Sequence, residues 1–237
     1  MDRIPERIEI VKRNIASACK RVGREPDEVK LVVVTKSTSI EGIIEVLKSG
    51  HRDLGENRVQ QLKKVASQVD ELIARGDLEQ MNVNWNMIGH LQRNKVKQVL
   101  PIVGLIHSVD TLRLAEEINN VAAKEGIQAR ILLQVNTSQE PQKYGVPVGA
   151  ATHLAEQLQT LENLRVCGLM TMAPLTRDKD AIRSCFMRAK EIFDEIKGER
   201  MVSDDFTELS MGMSSDYEIA IEEGATIVRI GSAIFAG

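Results

Sequence analysis

A closed (β/α)8 barrel of the TIM type with an extra N-terminal helix, forming one domain over residues 1–237, is the fold this sequence predicts. Three observations predict it. Short apolar runs rich in β-branched residues alternate with amphipathic helical periodicities, the pattern of a parallel sheet with right-handed crossovers. Eight such β units fit between Leu31 and Ile230, the number that closes a barrel; an open doubly wound sheet is the competing arrangement. Polar residues and glycines gather after every strand, which a binding face requires and core packing does not.

The elements follow in order. Ile4, Ile8, Val11, Ile15, Ala18 and Val22 recur at three- and four-residue steps, so Arg3 to Val22 reads as an amphipathic helix. Gly23 ends it and Pro26 marks the connection to the first strand. Strands are expected at Leu31–Val34, Asp53-Leu54, Asn84–Ile88, Val103–His107, Ala129–Val135, Leu164–Leu169, Phe206–Leu209 and Thr226–Ile230. Helical patterns lie between them at Ile40–Ser49, Arg58–Ala74, Gln92–Leu100, Thr111–Lys124, Ala150–Thr160, Asp180–Ile196 and Ser215–Glu222. Little chain remains after the eighth strand for a full eighth helix, so the N-terminal helix is expected to cover that side. The stretch Asn136 to Gly149, after the fifth strand, reads as a long loop on the binding face.

Composition removes several function classes. A net charge of −3 gives no general case for nucleic acid or an anionic membrane. No apolar run approaches the ~20 residues needed to span a bilayer, and the charged start has no signal-peptide core. Cys19, Cys167 and Cys185 form no CxxC pair, which argues against disulfides and structural zinc and for the cytoplasm. His51, His90, His107 and His153 have no metal-binding spacing, so no metal is expected.

The chemistry collects at strand ends. Leu31-Val32-Val33-Val34-Thr35-Lys36 is a buried strand ending in a lysine, and burial can free such an amine to form an imine with a carbonyl. A lysine snorkelling from a strand end explains that segment equally well. After the seventh strand comes Ser210-Met211-Gly212-Met213-Ser214, read as opening a helix, and after the eighth comes Gly231-Ser232. Small residues and free N–H groups after the last two strands of a barrel are its usual phosphate site. Phosphate together with an imine-forming lysine points to pyridoxal 5′-phosphate. Arg229, near the end of the eighth strand, fits against the pyridine nitrogen, where a permanent cation disfavours ring protonation. A Schiff-base aldolase using Lys36 without cofactor is a further reading of the same residues.

At this point the chain resembles the pyridoxal-phosphate homeostasis protein family, single-domain relatives of the N-terminal barrel of alanine racemase. The landmarks are VVVTK ending at Lys36, GENRVQ from Gly55, IGHLQRNK from Ile88, HSVD from His107, GLMTMAP from Gly168, SMGMSSDY from Ser210 and RIGSAIFAG from Arg229. The resemblance implies cofactor held as an internal aldimine on Lys36, with phosphate held around Ser210, Gly212, Met213 and Ser214 and by Gly231 and Ser232. It implies Arg229 facing the pyridine nitrogen and Asn57 beside the ring. It also implies a role in vitamin B6 homeostasis without established catalysis, with apo-enzymes as recipients. A pyridoxal-phosphate-dependent amino-acid racemase is the alternative. Against it, racemisation needs acid–base groups on both faces of the substrate carbon; only Tyr144 and Tyr217 are present, and Ile40 stands where the racemase has a tyrosine. Without the racemase's second domain, the chain is expected to be a monomer.

Overall fold

The computed structural model describes residues 4–198 and 202–236; Arg3, the expected first residue of the leading helix, lies outside them. Nine strands form among the described residues: β1 (Lys30–Val34), β2 (Asp53–Glu56), β3 (Asn84–Met87), β4 (Val103–Val109), β5 (Ala129–Asn136), β6 (Val146–Pro147), β7 (Leu164–Met170), β8 (Glu208–Ser210) and β9 (Ile227–Ile230). All pairings are parallel, and β1 pairs with both β2 and β9 while β4 pairs with β5, so eight strands close into a ring. The open doubly wound sheet is thereby excluded. β6 lies outside the ring, on the end of β5 through Val135–Val146 and Asn136–Pro147. The stretch read as a plain loop thus contains a short strand that ties it to the barrel.

Side chains alternate along each strand as the pleat demands. Val33, Leu54, Ile106, Leu133 and Val228 belong to the large outer core under the helices. Val32, Leu105, Leu132, Cys167, Met170 and Ile227 pack together as a separate apolar cluster inside the barrel. The inward positions next along the chain are polar: Asn86, His107, Gln134, Ser210 and Arg229, all buried. This change from apolar to polar layers sets the floor of the cavity described below.

The helices are α1 (Ile4–Arg21), α2 (Ile40–Lys48), α3 (Val59–Arg75), α4 (Val96–Val99), α5 (Leu112–Glu125), α6 (Ala151–Gln159), α7 (Lys179–Gly198), α8 (Tyr217–Glu222) and α9 (Ser232–Phe235). α1 packs against α8 and α9. Asn14 donates to the Tyr217 hydroxyl at 3.0 Å, and Arg24 donates to the Ile221 and Ala225 carbonyls at 3.0 and 2.9 Å. Arg7 reaches the Ala236 carbonyl at 2.8 Å.

Three elements differ from expectation for local reasons. The seventh barrel strand runs Glu208–Ser210 rather than from Phe206, whose buried ring instead stacks on Phe193 of α7 with centroids 4.9 Å apart. α8 starts at Tyr217 rather than Ser215, because the Asp216 carboxylate accepts from the Met213 N–H and folds 213–216 into a turn. The helix expected from Gln92 is a 3-10 turn over Arg93–Lys95 followed by the four residues of α4.

Behind the lysine strand end, Thr35 and Glu56 are fully buried, with Thr35 Oγ1 donating to Glu56 Oε1 at 2.5 Å. Burial pushes the Glu56 carboxyl above its ordinary value despite that hydrogen bond. A raised native value means that the unfolded chain ionises first as pH rises. Stability contributed by the protonated acid is therefore present below about 4.5 and is lost as pH rises through the native value. Glu56→Gln keeps the shape and removes the titration. Its urea midpoint is expected to fall less than the parent's between about pH 4 and pH 7; identical slopes in the two proteins would refute the assignment.

Candidate functional site

A cavity of about 850 Å3 opens at the carboxyl ends of the barrel strands, within the ~300–1,000 Å3 range of small-molecule sites. Lys36 enters it from the end of β1 and Asn57 from the end of β2. Met213, Ser214, Gly231 and Ser232 form the wall after β8 and β9, and Arg229 reaches it from inside the barrel. Lys36 is solvent-exposed, so the burial expected from its strand is absent at its side chain: the strand is buried and the lysine lies just beyond it. Of the other lysines that follow strands, Lys143 is held by Glu140 and donates to the Ala173 carbonyl at 2.8 Å, and Lys95 sits in the 3-10 turn. Neither borders the cavity.

The two glycine-serine segments meet through one hydroxyl. Ser214 Oγ accepts from the Gly231 and Ala233 N–H groups at 3.3 and 3.2 Å, the long end of hydrogen bonding. An anionic oxygen would draw the same donors more strongly. Gly231 packs close to the first strand, and a Cβ there would lie 3.1 Å from the Val34 carbonyl oxygen. Ser210 and Gly212 do not reach the cavity wall. Gly212 has φ +93, and its absent Cβ makes room for Ala220 and Tyr217 of α8, so it serves helix packing. Ser210 is fully buried and hydrogen-bonded to His107 and Arg229.

Arg229 is buried to 4% exposure. Nη1 donates to Ser210 Oγ at 2.6 Å and Nη2 to the Thr171 carbonyl at 2.9 Å. Burial lowers its pKa to about 10, with the Asp216 charge acting the other way, so it remains a cation at neutral pH. Burial in turn raises the Asp216 carboxyl, against its hydrogen bond from Met213 and the charge of Arg229. Two of five guanidinium N–H groups are engaged in these bonds, which leaves donors for a ligand.

The mouth is closed in part by the segment after β5. The Tyr144 ring stacks on His90 with centroids 3.9 Å apart and planes 12° from parallel, and both line the cavity. Gln134 donates to the Tyr144 carbonyl at 3.0 Å. His90 Nδ1 lies 3.9 Å from Asp110, whose carboxyl is raised by burial and also accepts from the Gly145 N–H. Tyr217, by contrast, points into the α1 contact through its bond from Asn14. The sequence reading missed His90, Gln134 and His107 as site residues. For Gln134 and His107 the available signal was a polar residue at an inward position of an otherwise apolar strand.

This barrel and cavity define a protein of the alanine racemase barrel class: the family model described as "Alanine racemase, N-terminal domain" matches residues 8–237. Alanine racemase of Clostridium difficile 630 is similar in fold, with a TM-score of 0.72 at 15% identity, covering 95% of this chain and 56% of the racemase. The chain belongs to the pyridoxal phosphate homeostasis proteins within that class. The protein so named from Aquifex aeolicus is 40% identical over 231 residues, covering 97% of this chain and 96% of the relative. That from Escherichia coli K12 is 34% identical over 236 residues, covering 99% and 97%. The solved structure of PipY from Synechococcus elongatus PCC7942, described as having PLP bound, has a TM-score of 0.80 at 30% identity and covers 94% of this chain and all of its own.

An aromatic stack contributes about 0.5–1.5 kcal/mol. Tyr144→Ala is therefore expected to raise hydrogen exchange at the Gly145 amide by roughly two- to tenfold, while the barrel strands keep their protection. Unchanged exchange there would show that the stack does not hold the mouth.

Proposed function

We propose that this protein binds pyridoxal 5′-phosphate through Lys36 and serves cofactor homeostasis in the cytoplasm, without turning over amino acids. The observation that carries the reading is the meeting, in one cavity, of an accessible lysine amine, a buried arginine with donors to spare, and a serine-bridged cradle of backbone N–H groups. A relative of the same family with PLP bound supports it. When bound, the cofactor supplies an aldehyde that can condense with a lysine amine.

The chain's own residues divide the remaining work. The Gly231 and Ala233 N–H groups, with the Ser214 and Ser232 hydroxyls, suit a phosphate. Asn57 stands at the cavity wall beside Lys36. Arg229, as a cation, would disfavour a proton on a ring nitrogen held against it and so would weaken the ring as an electron sink. A useful racemase needs a second acid–base group opposite the lysine. Tyr217 is turned away and bonded to Asn14, which leaves Tyr144, stacked on His90 at the mouth, as the one tyrosine at the cavity among the described residues. We further read the chain as a monomer that passes cofactor to apo-enzymes; size-exclusion chromatography with light scattering tests the first part.

Borohydride treatment of the holoprotein followed by peptide mapping is expected to place the label on Lys36, and Lys36→Ala is expected to abolish the visible absorbance. A dominant label on Lys95 or Lys143 would overturn the assignment. Incubation with L-alanine in deuterated water is expected to give only slow α-proton exchange. Turnover at the ~1–10³ s⁻¹ common among enzymes, lost in Lys36→Ala, would restore the racemase reading. Ser214→Ala is expected to weaken pyridoxal phosphate binding by roughly ten- to a hundredfold, as for a hydrogen bond to a charged group.

A further inference from the structure

Four inward-facing polar residues cross the barrel beneath the cavity, and their hydrogen bonds can run in only one direction. Asn86 Nδ2 donates to the carbonyls of Leu54 and Asn84 at 3.0 and 3.1 Å, which orients the amide. Its Oδ1 therefore faces His107 Nε2, 3.1 Å away. A carbonyl oxygen cannot donate, so Nε2 carries a proton. His107 is fully buried, and burial together with the charges of Arg229 and Lys30 holds its pKa well below the usual value. The ring is thus neutral and Nδ1 is a bare acceptor. Ser210 Oγ lies 2.9 Å from that nitrogen and must donate its single proton to it. The hydroxyl then has only lone pairs left for Arg229 Nη1, at 2.6 Å.

We propose that His107, acting through Ser210 and oriented by Asn86, is a positioning residue that fixes the Arg229 guanidinium as a donor toward the cavity and makes the site selective for a ring atom that accepts a hydrogen bond. A ring atom carrying a proton or a methyl group meets a donor that cannot turn away: Nη1 is held by Ser210 and Nη2 by the Thr171 carbonyl. This rests on the reading that Arg229 meets the pyridine nitrogen of pyridoxal phosphate. It gives Ser210 a place in cofactor recognition other than contact with phosphate. It also explains why a histidine is buried beside an arginine with no carboxylate among the described residues bonded to either: as a neutral Nε2–H tautomer it accepts where the chain needs an acceptor and donates where it needs a donor.

Two arms test this. In the first, ¹⁵N-histidine NMR of the full chain, with His107→Gln to identify the signal, is expected to report a neutral Nε2–H ring at neutral pH. An imidazolium at neutral pH, or the Nδ1–H tautomer, would overturn the chain of bonds. In the second, binding of pyridoxal phosphate is compared with that of its N-methylpyridinium derivative. The parent is expected to favour the former by roughly ten- to a hundredfold, the worth of one hydrogen bond to a charged group. Ser210→Ala and His107→Leu are expected to lose most of that ratio and to shift the pH profile of the holoprotein's visible absorbance, and Ser210→Thr is expected to restore both. Parent-like discrimination and pH profiles in Ser210→Ala and His107→Leu, with cofactor still on Lys36, would refute the positioning role. If the parent takes up no cofactor at Lys36, the functional reading fails and the selectivity with it, while the NMR arm still decides the hydrogen-bond chain. The NMR arm likewise stands if Ser210→Ala does not fold.

Discussion

A guanidinium buried to 4% exposure inside a barrel is the constraint around which this molecule is arranged. An isolated cation in such a place is heavily penalised, and Arg229 is held without a carboxylate of the described residues bonded to it. Its bonds go to a serine hydroxyl and a main-chain carbonyl, with Asp216 contributing charge from nearby. That choice has consequences across the barrel. Ser210 needs an acceptor for its proton, so His107 must stay neutral. His107 needs an acceptor at its other nitrogen, so Asn86 must be oriented by the carbonyls of Leu54 and Asn84. β3, β4, β8 and β9 are thereby joined through side chains as well as through the sheet.

Below this layer the barrel interior is apolar, and above it lies the cavity. The polar layer therefore separates stability from binding within a few residues of each strand, the division of labour usual for barrels. The same spacing places Lys36 one step beyond the buried strand β1: far enough out to meet a ligand, close enough to be aimed by the strand. α1 completes the far side. Its Asn14 takes up the Tyr217 hydroxyl, and Arg24, in the connection that follows α1, donates to carbonyls at and just past the end of α8. A tyrosine that might have faced the cavity thus becomes part of the helix packing.

The segment after β5 is held at several points of different strength. β6 pairs with the end of β5, Gln134 and Asp110 bond its backbone, and Lys143 bridges to the loop after β7. The Tyr144 ring stacks on His90, and both line the cavity.

Much of this was readable from residue order alone. Eight strands, the leading helix, the lysine at a strand end and the small residues after the last two barrel strands all depend on local pattern: β-branched runs, helical periodicity, and turn chemistry. The family landmarks carried Lys36, Asn57, Ser214 and Arg229 to one face. What required tertiary structure was depth and direction. Ser210 and Ser214 are four residues apart in one motif, yet one is sealed beneath the cavity and the other lines it, because β8 ends at Ser210 and its inward pleat points Ser210 at Arg229. His107 reads in sequence as a lone histidine in an apolar strand, and only barrel closure brings it to Ser210, 103 residues away. Tyr217 follows a cavity-lining loop in sequence but faces α1, since helix packing, not proximity along the chain, decides where a side chain points. Local chemistry sets which elements form and where each strand ends; the closed ring alone sets which strand ends meet, and so which polar groups must satisfy one another.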